Sequence, residues 1–448
     1  MHARPAESGH STSVAAPLDA SRPGQIDYRD VMLLQAFNWD SATDDRVWYD
    51  VLRDAIPLIR KYAFTHVWLP PPTASVDAHG YMPTQLYDLD SNYGTCDGLR
   101  QLNRALLEHS LRPVADVVIN HRAAEGKDEN GVYNRYEDRV DHPGASLAWG
   151  KDAITCNDPI FDGKGRADTG KDYEHAADLD HTNPAVVQGL TDWLRWLRSH
   201  VGYEGWRLDY VYGYSPEVAN MYLSETLDTR ATVDGSLVGD FAVVEGWETM
   251  DYNGDGVLEY NQDRHRQLTV DWLDASGNTC AAFDFTLKGV LQEAISRCEY
   301  RRLVDQQGRA PGVNGWWPAR AVTFLDNHDT GSSQRHWPFP EHAVEQGYAY
   351  ILTHPGIPSL FWDHIVTDGG VGKLARLVEL RKRAGIRADA NMQVLLCTDT
   401  IYVAKISGSI SDVLVKLGPE FDMGHAAPDD RWEVWASGKD WAAWIAKK

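Results

Sequence analysis

Short apolar runs alternate with amphipathic segments along most of the chain. The helical type is clearest after Asn183, which can cap a helix, and Pro184, which suits the first helical position. Apolar residues then recur at helical spacing as far as Leu197. The strand type is represented by eight short runs, at 31–38, 66–70, 113–121, 205–209, 241–245, 281–284, 321–325 and 359–362. Strands separated by helices pair in parallel, so the pattern predicts eight strand–helix units.

Eight such units predict a (β/α)8 barrel, with reactive groups at the C-terminal ends of its strands. A doubly wound sheet is the alternative, but no glycine-rich phosphate-binding pattern follows the first strand. A long stretch rich in Asp, Gly, Asn and His predicts an irregular subdomain inserted after the third strand. Short β-type runs near the end predict a small antiparallel domain. The expected organisation is a disordered tail or transit-peptide remnant at 1–25, a catalytic barrel at 26–120 and 181–384, a calcium-binding insert at 121–180 and the C-terminal domain at 385–448.

The composition narrows the class of partner. The 448 residues are 43% hydrophobic, which suffices for a core, and the formal charge of -22 argues against nucleic acid or an anionic membrane as the main partner. No apolar run approaches membrane-spanning length. The five cysteines are scattered and predict reduced thiols. Because residues 1–23 lack the apolar core of a secretory signal, we expect an intracellular location, plastid or cytosol.

Three carboxylates follow separate predicted strands, namely Asp209, Glu245 and Asp329. Each alone could be structural, but the set suits glycoside hydrolysis, in which one acid attacks the anomeric carbon and another protonates the leaving oxygen. Arg207 lies two residues before Asp209 on the same strand face and would keep it ionised, as a nucleophile requires. Glu245 follows an apolar strand and precedes Trp247, so burial should raise its pKa and suit it to be the acid. A retaining mechanism places the two carboxyl groups roughly 5–5.5 Å apart.

The same residues carry a family resemblance. The chain resembles the α-amylase family of retaining glycoside hydrolases, and closely its plant-type members. The general motifs are Asp-Val-Val-Ile-Asn-His at 116–121, Gly-Trp-Arg-Leu-Asp at 205–209, Val-Glu-Gly-Trp at 244–247 and Phe-Leu-Asp-Asn-His-Asp at 324–329. The plant-type motifs lie at 35–39, 68–72, 80–83, 315–318 and 346–356. The resemblance covers nearly everything from Val31 to the C-terminus.

The resemblance implies a role for each candidate residue. Asp209 would be the nucleophile, Glu245 the acid and base, and Asp329 a third carboxylate that stabilises the distorted sugar. The implied substrate-binding residues are Tyr81, His121, Tyr133, Arg207, Trp247, His328, Trp316 and Trp317.

Four features concern the surface and the rim of the cleft. Trp316 and Trp317 read as an exposed aromatic pair, which in plant-type members forms a platform for starch. By resemblance, Phe421 matches the Tyr of a second surface site in some members, and a Phe can stack on a sugar but cannot donate a hydrogen bond. Tyr212 stands where many members have Lys or Arg, so contacts on the aglycone side should differ. The stretch at 224–240 is longer than usual and is expected to reshape the cleft rim.

The insert is rich in the oxygen ligands that Ca²⁺ prefers. By resemblance, the ligands of one Ca²⁺ are the side chains of Asn120, Asp168 and Asp178 and the main-chain oxygens of Lys171 and Gly213. Further calcium positions of some members are matched by Glu137, Asp158 and Asp172, for which an acidic, solvated loop is the alternative. Residues 251–259 resemble the start of an EF-hand, but position twelve is Gln262 rather than Glu, which favours an ordinary loop.

The sequence thus predicts a calcium-containing α-amylase that cleaves α-1,4-glucosidic bonds of starch, amylose and maltooligosaccharides with retention. We expect it to be a monomer. One alternative is another α-glucan enzyme of the family, such as a debranching enzyme or a transglycosylase. The other is a non-catalytic glucan-binding or regulatory protein, although a pure binder need not keep all three carboxylates.

Overall fold

Eight parallel strands close into a barrel in the computed structural model of the protein, which describes residues 26–231 and 237–447. Each strand pairs with its neighbours in the chain, and the first also pairs with the eighth. The strands are β1 Leu33–Gln35, β2 His66–Leu69, β3 Arg112–Val117, β4 Gly205–Leu208, β5 Phe241–Val244, β6 Ala281–Phe283, β7 Ala321–Thr323 and β8 Ile357–Phe361. The predicted barrel is therefore confirmed, while the tail expected at 1–25 lies outside the described residues.

Helices surround the barrel, and at least one follows each strand. They are α1 Trp48–Ile59, α2 Cys96–Glu108, α3 Pro184–Trp196, α4 Pro216–Thr226, α5 Asp263–Ala275, α6 Phe285–Arg297, α7 Val344–Thr353, α8 Trp362–Asp368 and α9 Lys373–Ala384. Helix α3 begins as predicted, because the Asn183 side chain accepts the N–H of Ala185 and Pro184 is the first residue. The sequence pattern misses α8, which is too short for a full apolar period to show. No helix in the described ranges is long and apolar enough to span a membrane.

The third strand ends before the apolar run that predicts it. Strand β3 stops at Val117, although the run continues to His121. His121 and Arg122 instead pair antiparallel with Asp178 and Ala177, close to the two ends of the insert. This pairing brings His121 and Asp178 side by side above the end of β3.

One buried arginine ties the insert to a neighbouring barrel loop. Arg122 donates to the main-chain oxygens of Thr84, Leu147 and Glu137 at 2.6, 2.7 and 2.9 Å. Thr84 belongs to the loop between β2 and α2, whereas the other two acceptors belong to the insert. Charge-assisted hydrogen bonds of this kind hold an irregular segment in one place.

The C-terminal residues form a five-stranded antiparallel sheet in the order β9-β10-β11-β13-β12. The strands are β9 Asn391–Cys397, β10 Tyr402–Ser407, β11 Asp412–Leu417, β12 Trp432–Gly438 and β13 Trp441–Ala446. The predicted antiparallel domain is confirmed. It is fixed to the barrel in part by His354, whose Nε2 lies 2.9 Å from the Tyr402 hydroxyl.

The expectation that 224–240 reshapes the cleft rim is wrong for the described part of that stretch. Thr229–Ala231 and Leu237–Gly239 form a hairpin directly before β5, at the N-terminal end of the barrel. The main-chain N–H of Asp27 donates to the Leu237 oxygen at 2.7 Å, which fixes the hairpin there. Residues 232–236 lie outside the described residues. Catalytic loops follow the C-terminal ends of strands, so this hairpin is on the opposite side.

Candidate active site

A single buried guanidinium joins three carboxylates at the C-terminal end of the barrel. Arg207 on β4 is fully buried, and its Nη1 lies 2.7 Å from Asp116 Oδ1 and 2.6 Å from Asp209 Oδ1. Its Nη2 lies 2.6 Å from Glu245 Oε1. The carboxylates come from or just after the adjacent strands β3, β4 and β5, so the parallel register itself brings them together.

Burial affects the protonation of Glu245, Asp116 and Asp329 in this site. Burial raises the pKa of Glu245, the nearby Asp209 and Asp329 raise it further, and Arg207 opposes both effects. Burial also raises the pKa of Asp116 and of Asp329, again against the effect of Arg207. Glu245 can therefore keep a proton at neutral pH, which an acid catalyst needs.

A chain of hydrogen bonds orients the aromatic side of the site. The Tyr81 hydroxyl donates to Asp116 Oδ2 at 2.9 Å and lies 2.7 Å from His328 Nε2. The Gln35 amide donates to His328 Nδ1 at 2.9 Å, so His328 carries its proton on Nε2 and donates to Tyr81. Burial and the nearby Arg207 lower the pKa of His328, which keeps the ring neutral. His328 directly precedes Asp329, so these hydrogen bonds also hold the backbone that carries Asp329.

The remaining cleft candidates lie in different surroundings. His121 is buried, donates through Nε2 to the Tyr81 main-chain oxygen at 2.9 Å, and stacks on Tyr173. Trp247 is 37% exposed and stacks on Phe285 at 5.1 Å. Tyr133 is 49% exposed on a hairpin of the insert. His121 is close enough to Asp209 for that carboxylate to act on the pKa of its ring, and Trp247 follows Glu245 by two residues.

The expected calcium ligands come together beside the centre. Carboxylate oxygens of Asp168, Asp172 and Asp178 lie within 4.8 Å of one another. Among the described residues, this is where three or more potential metal-ligating side chains meet. Oδ1 of Asn120 and Oδ2 of Asp168 are buried without a hydrogen-bond partner among the described residues. Burial raises the pKa of Asp178 to about 8, with Asp168 adding to the effect.

The backbone also approaches this cluster closely. The Lys171 N–H donates to the Tyr212 oxygen at 2.8 Å, so the loop that carries Asp168 lies against the turn at Gly213. A Cβ added to Gly213 would lie 2.0 Å from Asn120 Oδ1, which shows how closely the backbone approaches that oxygen. Orphaned carboxylate and amide oxygens beside main-chain carbonyls match the ligand chemistry of Ca²⁺.

The further acidic candidates are used differently. Glu137 pairs with Arg139 at 2.5 Å, and Asp158 accepts main-chain N–H groups, including that of Asp178. Asp172 belongs to the cluster already described rather than to a separate one. In the EF-hand-like loop, the Gln262 amide bonds to the main chain of Asp251 in both directions and so closes the loop without a cation.

Comparison with known proteins agrees with this geometry. The family described as "Alpha amylase, catalytic domain" matches residues 50–270, and "Alpha-amylase C-terminal beta-sheet domain" matches residues 383–445. "Probable alpha-amylase 2" of Arabidopsis thaliana is 43% identical over 416 residues, which are 92% of this chain and 93% of that protein. The chain belongs to the α-amylase family.

Two further relatives extend the comparison within the α-amylase family. "Alpha-amylase 3, chloroplastic" of Arabidopsis thaliana is 40% identical over 92% of this chain and 44% of its own length. Among solved structures, the α-amylase of Geobacillus thermoleovorans complexed with acarbose covers 95% of this chain and 100% of its own, with a TM-score of 0.65. At 15% identity, this likeness shows a shared fold.

The tryptophan pair of this α-amylase-family chain is not an exposed platform, and that prediction is wrong. Trp316 is 6% exposed and Trp317 is fully buried. The Arg266 guanidinium from α5 lies 3.8 Å from the Trp316 ring centroid and covers that ring. A cation on an aromatic face is a favourable contact, and it excludes a sugar from the same face. In contrast, Phe421 is 90% exposed.

Sequence reasoning also missed site residues of this family member. Asp116 lies inside an apolar run, where it bonds to Arg207, Tyr81 and the Trp68 indole N–H. An acid inside a strand that is otherwise apolar was the available signal, because such a group needs a buried partner. Trp39 and His79 stack with centroids 3.5 Å apart beside Tyr81, and spacing alone does not indicate this contact.

Proposed function

We propose that the protein is an α-amylase that hydrolyses internal α-1,4-glucosidic bonds of starch, amylose and maltooligosaccharides with retention of configuration. The observation that carries the proposal is the ion centre in which Arg207 contacts both Asp209 and Glu245 at 2.6 Å. Carboxyl groups that contact one guanidinium lie close to each other, which suits a double displacement, in which the second carboxyl group itself acts as the nucleophile.

In the proposed first step, Asp209 attacks the anomeric carbon while Glu245 gives its proton to the leaving oxygen. The carboxylate–glucosyl bond forms as the glycosidic bond breaks. In the second step, Glu245 takes a proton from water, the water oxygen attacks the anomeric carbon, and Asp209 leaves as a carboxylate. Two inversions give net retention. Arg207 holds Asp209 and Glu245 in place through both steps.

The other proposed roles concern the sugar rather than the bond. Asp329 and His328 would bind ring hydroxyls, and the negative charge of the Asp329 carboxylate would stabilise the oxocarbenium-like transition state. Tyr81 offers a ring held between its hydroxyl bond to Asp116 and a stacked His328. Trp247 is placed for stacking beside the acid Glu245, and we keep His121 and Tyr133 as further sugar contacts.

The reaction outcome tests the proposal directly. With maltoheptaose, we expect initial products in the α-anomeric form and cleavage at internal bonds, measured by proton NMR and chromatography. Action on a branched limit dextrin would instead favour a debranching enzyme, and products longer than the substrate would favour a transglycosylase. Initial β-anomers, or binding of soluble starch without release of sugars, would refute the proposal.

We propose that one Ca²⁺ binds the side chains of Asn120, Asp168 and Asp178 and the main-chain oxygens of Lys171 and Gly213, as the orphaned oxygens support. When bound, the ion supplies the positive charge that these buried carboxylates lack. Asp168 and Asp178 of the insert and Asn120, which follows β3, would then share one ion, which joins the insert to the barrel.

Removal of Ca²⁺ is expected to lower the melting temperature by a few degrees, since a ligand that binds only the folded state adds about 2.7 kcal/mol at a hundredfold excess over Kd. Differential scanning calorimetry before and after prolonged chelation measures this. Asp178→Asn should lose most of the calcium response, while Asp255→Asn, an exposed acid in the EF-hand-like loop, should keep it. An identical melting curve after chelation would count against a structural ion.

The rate is expected to fall on the alkaline side of neutrality, when Glu245 loses its proton. Because burial and neighbouring carboxylates raise its pKa, the acid form persists to a higher pH than that of an exposed Glu. A pH profile of kcat on maltoheptaose measures this limb. The limb should weaken with a maltosyl fluoride substrate, whose leaving group needs little protonation. An equal alkaline limb for both substrates would contradict the assignment of Glu245.

We propose an intracellular location, plastid or cytosol, and a monomer. The relative named chloroplastic supports the plastid.

A further inference from the structure

A buried lysine lies beneath the loop between β7 and α7, residues 326–339. Lys288 on α6 is fully buried, and its ammonium donates to Gln292 Oε1 at 2.6 Å and to the main-chain oxygen of Trp337 at 2.7 Å. Asp326 Oδ1 lies 3.9 Å from the same nitrogen. Burial lowers the pKa of Lys288 to about 7, against the effect of Asp326. Burial of an ammonium group is unfavourable unless its N–H groups have acceptors, and Lys288 has two.

The carboxylate of Asp326 joins the two ends of the 326–339 loop. It accepts the N–H of Phe339 at 3.0 and 3.2 Å and the hydroxyl of Thr330 at 3.0 Å. Asp326 begins the loop and Phe339 ends it. Lys288 therefore contacts the beginning of the loop by charge and its end by the hydrogen bond to Trp337.

Bonds within the loop extend this order to Asp329. Asn327 Oδ1 accepts the N–H groups of Asp329 at 3.1 Å and of Thr330 at 2.8 Å. The main-chain oxygen of Asp329 accepts the N–H of His336 at 3.1 Å. The backbone of Asp329 is thus held on both sides by the segment that Lys288 closes.

The same ammonium reaches the aromatic side of the cleft. It lies 4.3 Å from the centroid of the Trp337 ring, a cation–π contact that favours one ring orientation. Trp337 and Trp247 are stacked, with centroids 6.4 Å apart and planes at 16°. Trp247 follows Glu245 by two residues. Lys288 therefore has connections to Asp329 through the loop and to the neighbourhood of Glu245 through two indole rings.

We propose that Lys288 is a positioning residue, which sets the place of Asp329 and of the Trp337 ring relative to the bond that is cleaved. The inference rests on the proposed hydrolase function, although Lys288 itself does not touch the sugar. Since Asp329 would act mainly in the transition state, misplacing it should lower kcat more than it changes KM.

The test compares Lys288→Met with Lys416→Met. Lys416 is a second buried lysine whose ammonium also donates to a main-chain oxygen, that of Gly418, but in the C-terminal sheet. We expect both variants to lose thermal stability. Only Lys288→Met should lower kcat on maltoheptaose, by about 10–100-fold with KM little changed. Only Lys288→Met should also alter the near-ultraviolet circular dichroism of the stacked indoles, and a Trp337→Phe background should abolish that difference.

Unchanged kcat and unchanged dichroism in a folded Lys288→Met protein would overturn the inference. If that variant does not fold, Lys288→Gln carries the test, because its amide keeps a donor for Trp337 but has no charge. An intermediate kcat is then expected, and a wild-type kcat would overturn the inference. If the wild-type protein hydrolyses no glucan, the proposed function fails, while the dichroism still decides whether Lys288 orients Trp337.

Discussion

Asp209→Asn is expected to lower kcat on maltoheptaose by about 10⁴-fold or more, because the amide cannot form the covalent intermediate. Glu245→Gln is expected to cost about 10²–10⁴-fold, since it removes general acid catalysis but keeps the nucleophile. Both side chains contact Arg207 at 2.6 Å, and the two substitutions change almost no volume. Both variants should therefore still bind a maltooligosaccharide, which isothermal titration calorimetry can verify.

Two chemical probes separate the roles of these acids. Maltosyl fluoride needs little protonation of its leaving group, so it should rescue the first step of Glu245→Gln but not of Asp209→Asn. Added azide should give an α-glycosyl azide with Glu245→Gly, because it replaces water in the second of two inversions. With Asp209→Gly it should attack the vacated face once and give a β-azide. If Glu245→Gly gave the β-azide and Asp209→Gly the α-azide, the two residues would have the opposite roles.

The barrel was predictable because its strands are buried on both sides. Such strands appear in the sequence as short apolar runs, and the helices between them show a different period. The positions of Asp209 and Glu245 followed from the same pattern, since each comes at the end of a run. Strand ends were less certain: the run that predicts β3 continues past Val117, because buried residues of the adjoining loop are apolar as well.

Features that depend on distant contacts could not be predicted in this way. Whether Trp316 is exposed is decided by Arg266, fifty positions earlier in the chain, whose guanidinium covers the ring. Likewise, the partners of Asp116 come from three other segments of the chain. A pattern along the chain describes burial on one element, but the identity of the covering group depends on how the elements pack.

Arg207→Met is expected to destabilise the protein by about 3–5 kcal/mol at neutral pH, in addition to abolishing activity. Without the guanidinium, the buried carboxyl groups of Asp116, Asp209 and Glu245 would have no counterion beside them, and breaking a buried pair in this way is costly. Urea unfolding in excess Ca²⁺ measures the change. Arg381→Met is the matched control, because Arg381 is also buried but donates to three main-chain oxygens rather than to carboxylates.

The pH dependence distinguishes lost charge compensation from lost packing. Arg207 lowers the pKa of Asp116 and of Glu245 against the effect of burial, so its removal should raise both values further above those of the unfolded chain. A group with a raised folded pKa contributes full stability below its unfolded pKa and loses it as the pH rises through the folded value. The deficit of Arg207→Met should therefore be small in acid and grow as the pH rises through about 7 and about 8, the folded pKa values of Asp116 and Glu245 in the wild type. Arg381→Met should show a nearly constant deficit, because the hydrogen bonds of Arg381 go to main-chain oxygens, which do not titrate.

A second substitution tests whether Arg207 stabilises the protein by compensating the charge of Asp116. Adding Asp116→Asn to Arg207→Met removes one buried acid while its amide can still accept from Tyr81 and Trp68. Part of the lost stability should return at neutral pH and very little in acid, with no return of activity. If Asp116→Asn instead lowers stability by the same amount in both backgrounds, Arg207 and Asp116 are not coupled. The guanidinium would then act through packing alone, and its contact with three strand-end acids would not explain why the centre is stable.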